Sequence, residues 1–374
     1  MVVLAGQGVN GLLGKNLKIC QKKMKKNNQQ KENQKKHRFD SLVKTSKKIL
    51  ITTHVDPDFD AISSCLAVFN YLGSNFSRKE INIVISGNIA EGLDVFADIE
   101  KIESGTDIYK HLQGVDLAIF LDGPTIDRFT YKEKNIDLSE FNSICIDHHP
   151  GPRTDFTLDL SNPKAAATAQ IITELFFEEK EKISKEIAET LLLGILGDTG
   201  NLRYIGPDNS SVLLSVEKLI KAGGIDLQAL QLKYESITLE ELAVVRQLVE
   251  NIVMVKAGSC PNYIYSYSPE SFSKSFGAGP VSNGARFYHS FITRRVVKYP
   301  WGFTVKKNGN KCKISFRSSP GSVDVGRLAK DYFSGGGHSL ASGGEHTTKT
   351  KDIKKACREI SKIIESAKIC FDSG

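Results

Sequence analysis

From Lys47 onward the chain alternates short apolar runs with longer segments of helical spacing, and this alternation limits the fold more than any other feature of the sequence. The candidate strands are Ile49–Thr53, Ile81–Ser86, Leu117–Leu121 and Ser143–Ile146. Asp60–Leu72 spaces its larger apolar residues as a helix does, and further helices are expected at Thr168–Glu179, Ser184–Leu196, Asn209–Lys221 and Ser236–Val255, the last as a connector. Strand–helix units of this kind build a parallel sheet flanked by helices. Beyond the connector the texture changes to β-type segments, "PNYIYSYS", "GFTVKK" and "CKISFRSS", joined by Gly-rich turns and closed by an amphipathic helix from about Asp352. The expected fold class is therefore α/β, followed by a smaller α+β domain. We divide the chain into a tail of residues 1–38, an α/β domain of residues 39–235, a connector of residues 236–255 and an α+β domain of residues 256–374.

A length of 374 residues exceeds what one hydrophobic core usually holds, which agrees with two domains. No apolar run approaches the roughly 20 residues of a membrane span, so a membrane protein is excluded. The seven cysteines are scattered and show no Cys-x-x-Cys spacing, which argues against a disulfide framework or a thiolate zinc site and fits a cytoplasmic location. The formal charge of +7 is confined to the tail. Lys15 to Arg38 holds ten Lys or Arg against one acid, Glu32, leaving 40 basic and 42 acidic residues elsewhere. Residues 22–37 read as a disordered or frayed helical arm whose charge is either merely solvating or adds salt-sensitive affinity for RNA. "GQGVNG", Gly6 to Gly11, satisfies a dinucleotide-binding fingerprint, but that motif needs a second strand ending in an acid some 20 residues on, and none is present.

The chemistry gathers at the strand ends. "THVDPDFDA" places His54, Asp56, Asp58 and Asp60 after the first strand, "FLDGP" places Asp122 after the third, "IDHHPGP" places Asp147, His148 and His149 after the fourth, and "GILGDTG" ends a helix at Asp198. Each acid alone has a bland reading as a helix cap or turn residue. Together they converge, because loops beyond the carboxyl ends of parallel strands share one crevice. So many carboxylates would repel one another unless cations offset them. Imidazole and carboxylate without thiolate suit Mn2+ best, with Mg2+, Co2+ and Fe2+ as alternatives. Six ligands suffice for two ions, an arrangement that serves displacement at phosphorus.

These motifs, with "ISFRSSPGSVDVGRLAKDYFSGGGHSLASGG" near the C-terminus, resemble the DHH phosphoesterases and their DHHA1 domain over roughly residues 47–344. The resemblance implies a DHH catalytic domain and a DHHA1 substrate-binding domain. It implies His54 and Asp58 on one metal, Asp60 and His148 on the other, Asp122 bridging them and Asp198 completing the site. His149 is then the residue that meets the scissile phosphate or protonates the leaving oxygen, with Asp147 orienting its neighbours, and Asp56 stays outside the ligand set. In the second domain, Arg317 and Ser318 with Gly335, Gly336, Gly337 and His338 are expected to bind the nucleotide, the glycine run opening into a helix and substrate lying between the domains. The implied activity is hydrolysis of short oligoribonucleotides, and of 3′-phosphoadenosine 5′-phosphate, by a manganese-dependent enzyme compatible with a homodimer. The alternatives are a cyclic-dinucleotide phosphodiesterase, a RecJ-like single-strand exonuclease and a non-enzymatic nucleotide-binding regulator. Residues 269–312 match no pattern within this resemblance.

Overall fold

The computed structural model describes residues 33–90, 92–131, 136–177 and 183–368, and the chain parts into two compact units, Met1–Tyr234 and Glu235–Gly374. The glycine-rich "GQGVNG" and most of the basic tail lie outside the described residues. The tail does not extend to residue 38. Residues 33–45 form a helix (α1) that buries Phe39 and Val43 completely, and Phe39 packs its ring 4.6 Å from that of Phe176. Two apolar side chains four apart on one helical face outweigh the polar composition around them.

The first unit is built on a six-stranded sheet of order β3-β2-β1-β4-β5-β6 in which every neighbouring pair is parallel. Its strands are β1 (Lys48–Thr53), β2 (Glu80–Ile85), β3 (Ile102–Ser104), β4 (Leu117–Leu121), β5 (Asn142–Ile146) and β6 (Leu158–Asp159). All five residues of β4 are buried, as a strand covered on both faces requires. One face meets α2 (Phe59–Asn75), α4 (Thr168–Phe176), α5 (Lys185–Asp198) and α6 (Val212–Gly223), while the other packs Leu50, Phe120 and Cys145 against Phe129, Phe156 and the short α3 (Ile108–His111). The α2–α5 contact is unusually close. A Cβ on Gly194 would fall 2.5 Å from the Ser63 hydroxyl, and one on Gly197 would fall 2.5 Å from the Phe59 Cβ. Ser63 also donates to the Thr190 carbonyl at 2.8 Å. Glycine at these two positions brings the end of α5, and with it Asp198, against the start of α2.

A helix not anticipated, α7 (Leu227–Glu235), ends at the boundary between the units. The helix expected over Ser236–Val255 is shorter: α8 (Leu239–Glu250) opens on a Thr238–Glu241 capping box and stops at Asn251, and Val253–Val255 is the edge strand β7. The apolar spacing of Val253 and Val255 suits either structure, and pairing with β8 decides between them.

The second sheet has the order β11-β12-β10-β9-β8-β7, with β8 (Tyr263–Ser268) parallel to β9 (Trp301–Asn308) and the remaining pairs antiparallel. β10 (Lys311–Ser318) alternates exposed or half-buried residues with buried ones. Cys312, Ile314 and Phe316 face a core shared with α11 (Val325–Tyr332) and α12 (Ile353–Ser366). Residues 269–312 supply α9 (Glu270–Phe276), α10 (Ala278–Tyr288) and a π-helical turn at His289–Thr293, and α10 packs on α8 through Val281, Tyr288, Val244 and Leu248. The glycine run does not open into a helix. Gly336–His338 is the short edge strand β11, paired with β12 (Ala341–Thr347), and α11 precedes it. Among the described residues no helix is long and apolar enough to cross a membrane.

Candidate metal centre

The strand order of the first sheet reverses between β1 and β4, the place where loops leaving adjacent strands diverge and open a crevice. β1 delivers His54 there, β4 delivers Asp122, and β5 delivers Asp147, His148 and His149. Asp58 and Asp60 come from the start of α2, and Asp198 is the last residue of α5.

Three groups of ligand atoms result, each within 4.8 Å of one another: His54, Asp58 and Asp122; Asp60, His148 and Asp198; and Asp122, His148 and His149. Asp122 and His148 each belong to two. Asp122 is at the centre, its Oδ2 3.5 Å from His54 Nε2 and its Oδ1 3.6 Å from both His148 Nε2 and His149 Nδ1. The residue adopts a left-handed backbone, φ +59°, that few side chains tolerate but aspartate does. His148 Nε2 also lies 2.9 Å from Asp198 Oδ2.

The acids are held in place by backbone and hydroxyl donors. Asp58 is the N-cap of α2, its Oδ1 accepting from the amides of Asp60 and Ala61 at 3.0 and 3.1 Å. The capping reading and the cluster reading of this residue therefore apply together. Asp60 is fully buried and accepts from the amides of Thr168 and Ala169 at 2.5 and 2.8 Å. α4 has Ala167 at its N-cap, which offers no side-chain acceptor, so Asp60 takes that role from another element and meets the positive end of the helix dipole. The Thr168 hydroxyl donates to Asp122 Oδ1 at 2.8 Å. Asp56 stands apart at the surface, 3.1 Å from the Tyr131 hydroxyl.

Electrostatics confirm a site crowded with negative charge. Desolvation, then repulsion from Asp198 and Asp122, pushes the Asp58 carboxyl up to about 6, even though the residue as a whole is exposed. Asp60 is held well above the usual carboxylate range by burial and then by Asp122 and Asp198. Burial would raise Asp122 as well, but His54, His148 and His149 hold it below that range. Burial alone would lower the imidazoles. Asp122 outweighs it at His54, and Asp198 does so at His148, so both are raised. His54 Nδ1 is buried without a hydrogen-bond partner. A carboxylate–imidazole donor set with excess negative charge and no thiolate fits divalent cations that prefer oxygen and nitrogen.

Asp147 is fully buried and sits outside the three groups. Its Oδ1 is 2.7 Å from His149 Nδ1, and its Oδ2 accepts from Arg153 Nη1 at 2.9 Å. The same guanidinium donates to Ser161 Oγ at 2.9 Å and to the His149 carbonyl at 2.6 Å. Arg153 and Thr168 are the residues that sequence reasoning missed. The run of alanines before Thr168, which leaves a helix start without a capping side chain, was the available signal for the second; nothing in the sequence marked the first.

In the second unit, Arg317 of β10 pairs with Ala341 of β12, which in turn pairs with His338 of β11, so the three lie abreast on one sheet face. The amide of Ser318 donates to the Leu340 carbonyl at 2.9 Å and that of Gly335 to Ala329 at 3.1 Å. Gly336 and Gly337 lie in β11, where Gly337 has φ +138°.

Residues 48–195 match the DHH family, N-terminal domain, and residues 294–366 match the DHHA1 domain, and with these two domains the chain belongs to the DHH family of phosphoesterases. It is 27% identical over 80% of its length to a Streptococcus mutans protein named "probable bifunctional oligoribonuclease and PAP phosphatase NrnA", covering 90% of that protein. It is likewise 27% identical over 83% of its length to the Thermus thermophilus bifunctional oligoribonuclease and PAP phosphatase NrnA, covering 87% of it. An exopolyphosphatase-related protein from Bacteroides fragilis shares the fold, with a TM-score of 0.74 and 23% identity over 89% of this chain and 96% of that one.

Proposed function

We propose that this protein is a metal-dependent phosphodiesterase that hydrolyses short oligoribonucleotides and removes phosphate from 3′-phosphoadenosine 5′-phosphate. The observation that carries the reading is the set of three interlocking carboxylate–imidazole groups sharing Asp122 and His148 at the sheet's switch point. The names of the relatives point to the same substrates.

His54, Asp58 and Asp122 would hold one divalent ion and Asp60, His148 and Asp198 another, with Asp122 between them and Mn2+ the favoured metal. Bound there, such ions supply Lewis acidity and an activated water. The amide donors of α2 and α4 fix Asp58 and Asp60, so that the carboxylates need not reorganise when charge arrives. Asp147 holds the His149 ring by Nδ1, and Nε2 would be the nitrogen that contacts the phosphate or protonates the departing oxygen. Arg153 keeps Asp147 oriented through its two contacts to the pair. Arg317 and His338 bind the nucleotide portion.

The test is a substrate panel under Mn2+: a 5′-labelled diribonucleotide, a longer RNA, 3′-phosphoadenosine 5′-phosphate, a cyclic dinucleotide and pyrophosphate. Turnover of the first and third is expected; turnover of the cyclic dinucleotide alone would replace this reading with another. Arg317→Ala and His338→Ala should lower kcat/KM on the diribonucleotide about 30- to 150-fold, the effect of losing a charged contact to phosphate. Hydrolysis of bis-p-nitrophenyl phosphate, which has no nucleotide to hold, should change far less.

A further inference from the structure

The turn that follows Asp198 is held in a conformation its own residues do not favour. Gly200, Asn201 and Leu202 are left-handed in succession, with φ of +56°, +60° and +64°. One such residue is the usual end of a helix, and Gly200 supplies it here. A run of them is costly, and leucine is not among the residues that visit this region readily. Such a run persists only where the surroundings impose it. Within the turn, the Asn201 amide donates to the Leu196 carbonyl at 2.7 Å and the Leu202 amide to the Thr199 hydroxyl at 3.1 Å. A third contact comes from another element: Gln231 Nε2 of α7 donates to Asn201 Oδ1 at 2.7 Å.

α7 reaches the other ligand-bearing segment as well. Tyr234 lies three residues after Gln231, on the same face of the helix, and sets its ring edge-on to that of Phe59, with centroids 4.9 Å apart and planes at 81°. Phe59 stands between Asp58 and Asp60 in the chain. Its ring is also 5.6 Å from that of Phe96, and its Cβ closes against Gly197, the residue before Asp198. Of its nine residues α7 buries only Leu230 outright, so its core packing is slight beside these two contacts. The contacts fall one residue from Asp58 and Asp60 and three from Asp198. Asp60 and Asp198 share one group of ligand atoms and Asp58 belongs to another, so the separation of the two segments is the separation that bound ions would have to span. All of these residues belong to the first unit.

We propose that Gln231 and Tyr234 are positioning residues for the metal centre: from one face of α7 they fix the Asp198 turn relative to the Asp58–Asp60 segment, and so set the spacing of the carboxylates that would hold the two ions. The role rests on the two-ion reading and deepens it, since it makes metal affinity depend on a helix that contributes no ligand.

The test is calorimetric titration of Mn2+ into the metal-free full chain, beside thermal unfolding of the same samples. Gln231→Leu should weaken binding of at least one Mn2+ about tenfold, the lower end of what is lost with a group that orients a metal ligand. Asn201→Gly keeps the left-handed backbone and deletes the acceptor, so it should weaken Mn2+ equally, and the double variant should lose no more than either single one. Tyr234→Leu, which removes the ring against Phe59, should also weaken Mn2+ about tenfold. Lys233→Met is the control on the same helix: its Nζ meets the Val95 carbonyl at 3.3 Å, away from both segments, and Mn2+ affinity should stay within about twofold. A fall in Tm with unchanged Mn2+ affinity in Gln231→Leu, additive losses in the double variant, or an equal loss in Lys233→Met would each overturn the positioning role. A wild-type protein that bound no Mn2+ would overturn it together with the two-ion reading. Wild-type protein that binds Mn2+, with the losses described in the variants, yet cleaves neither diribonucleotide nor 3′-phosphoadenosine 5′-phosphate would instead overturn the proposed activity and leave the positioning role standing.

Discussion

Replacing Arg153 with methionine separates what holds His149 from what holds the metals. The guanidinium makes three hydrogen bonds, to Asp147, to Ser161 and to the His149 carbonyl, and its side chain is only 18% exposed. Asp147 is fully buried, so the variant leaves a carboxylate with His149 as its remaining partner. Breaking one side of a buried pair costs about 3–5 kcal/mol, and the surviving imidazole contact places this case near 3. For a unit of this size that is a fall in Tm of about 6–12 °C. Assayed well below the new Tm, kcat on a diribonucleotide should fall about 10- to 100-fold, the usual effect of losing a group that orients a residue at a metal site. Mn2+ affinity by calorimetry should stay within about twofold, because Arg153 touches no side chain proposed to hold an ion. Arg153→Lys should recover part of the stability and part of kcat. If Arg153→Met lost stability but kept its kcat, His149 would not depend on the Asp147 contact and its proposed role would be wrong. A tenfold loss of Mn2+ affinity would instead make His149 a ligand.

Asp122→Asn and His148→Ala should each abolish turnover while the far-UV spectrum stays native; wild-type rates in either would remove the two-ion mechanism. In the chelated protein, Asp58, Asp60, His54 and His148 all bind protons more tightly when folded. Their contribution to stability is therefore full below the unfolded values of 3.8 and 6.5 and is lost as pH rises through the folded ones, about 6 for Asp58. Tm in EDTA should consequently fall between about pH 5 and 8, and saturating Mn2+ should flatten or reverse that trend; a flat profile in EDTA would mean the crevice is less crowded than described. Phe39→Ala should cost about 3–5 kcal/mol by denaturant unfolding, whereas removing residues 1–32 should leave diribonucleotide hydrolysis unchanged. A mild effect of Phe39→Ala would show that α1 is dispensable to the core.

Where burial is complete, the sequence and the structure agree closely. β4 occupies the expected residues Leu117–Leu121, because a strand covered on both faces is apolar throughout and bounded by polar residues. Agreement fails where tertiary contacts choose between two local structures of equal merit. Val253 and Val255 extend the apolar spacing of α8 but pair as a strand, and a glycine run that suits a loop is an edge strand beside Ala341. Similarly, the acids and histidines of the centre were visible because several motifs carried the same chemistry to the same strand ends. Arg153 and Thr168 were not, since an arginine after a Pro-Gly-Pro turn and a threonine at a helix start are ordinary until their distances to Asp147 and Asp122 are known.

Asp122 combines two demands that are seldom joined at one position. Its left-handed backbone is cheap for glycine, asparagine and aspartate and costly for almost every other residue. Of those three, only aspartate carries the charge that the flanking imidazoles face. Under the proposed two-ion reading, a related chain with glycine or asparagine here would keep the β4 loop intact and lose the shared carboxylate, so it would fold, and it would be silent. On that reading, this single position would sort active members of this architecture from binding proteins that only share its shape.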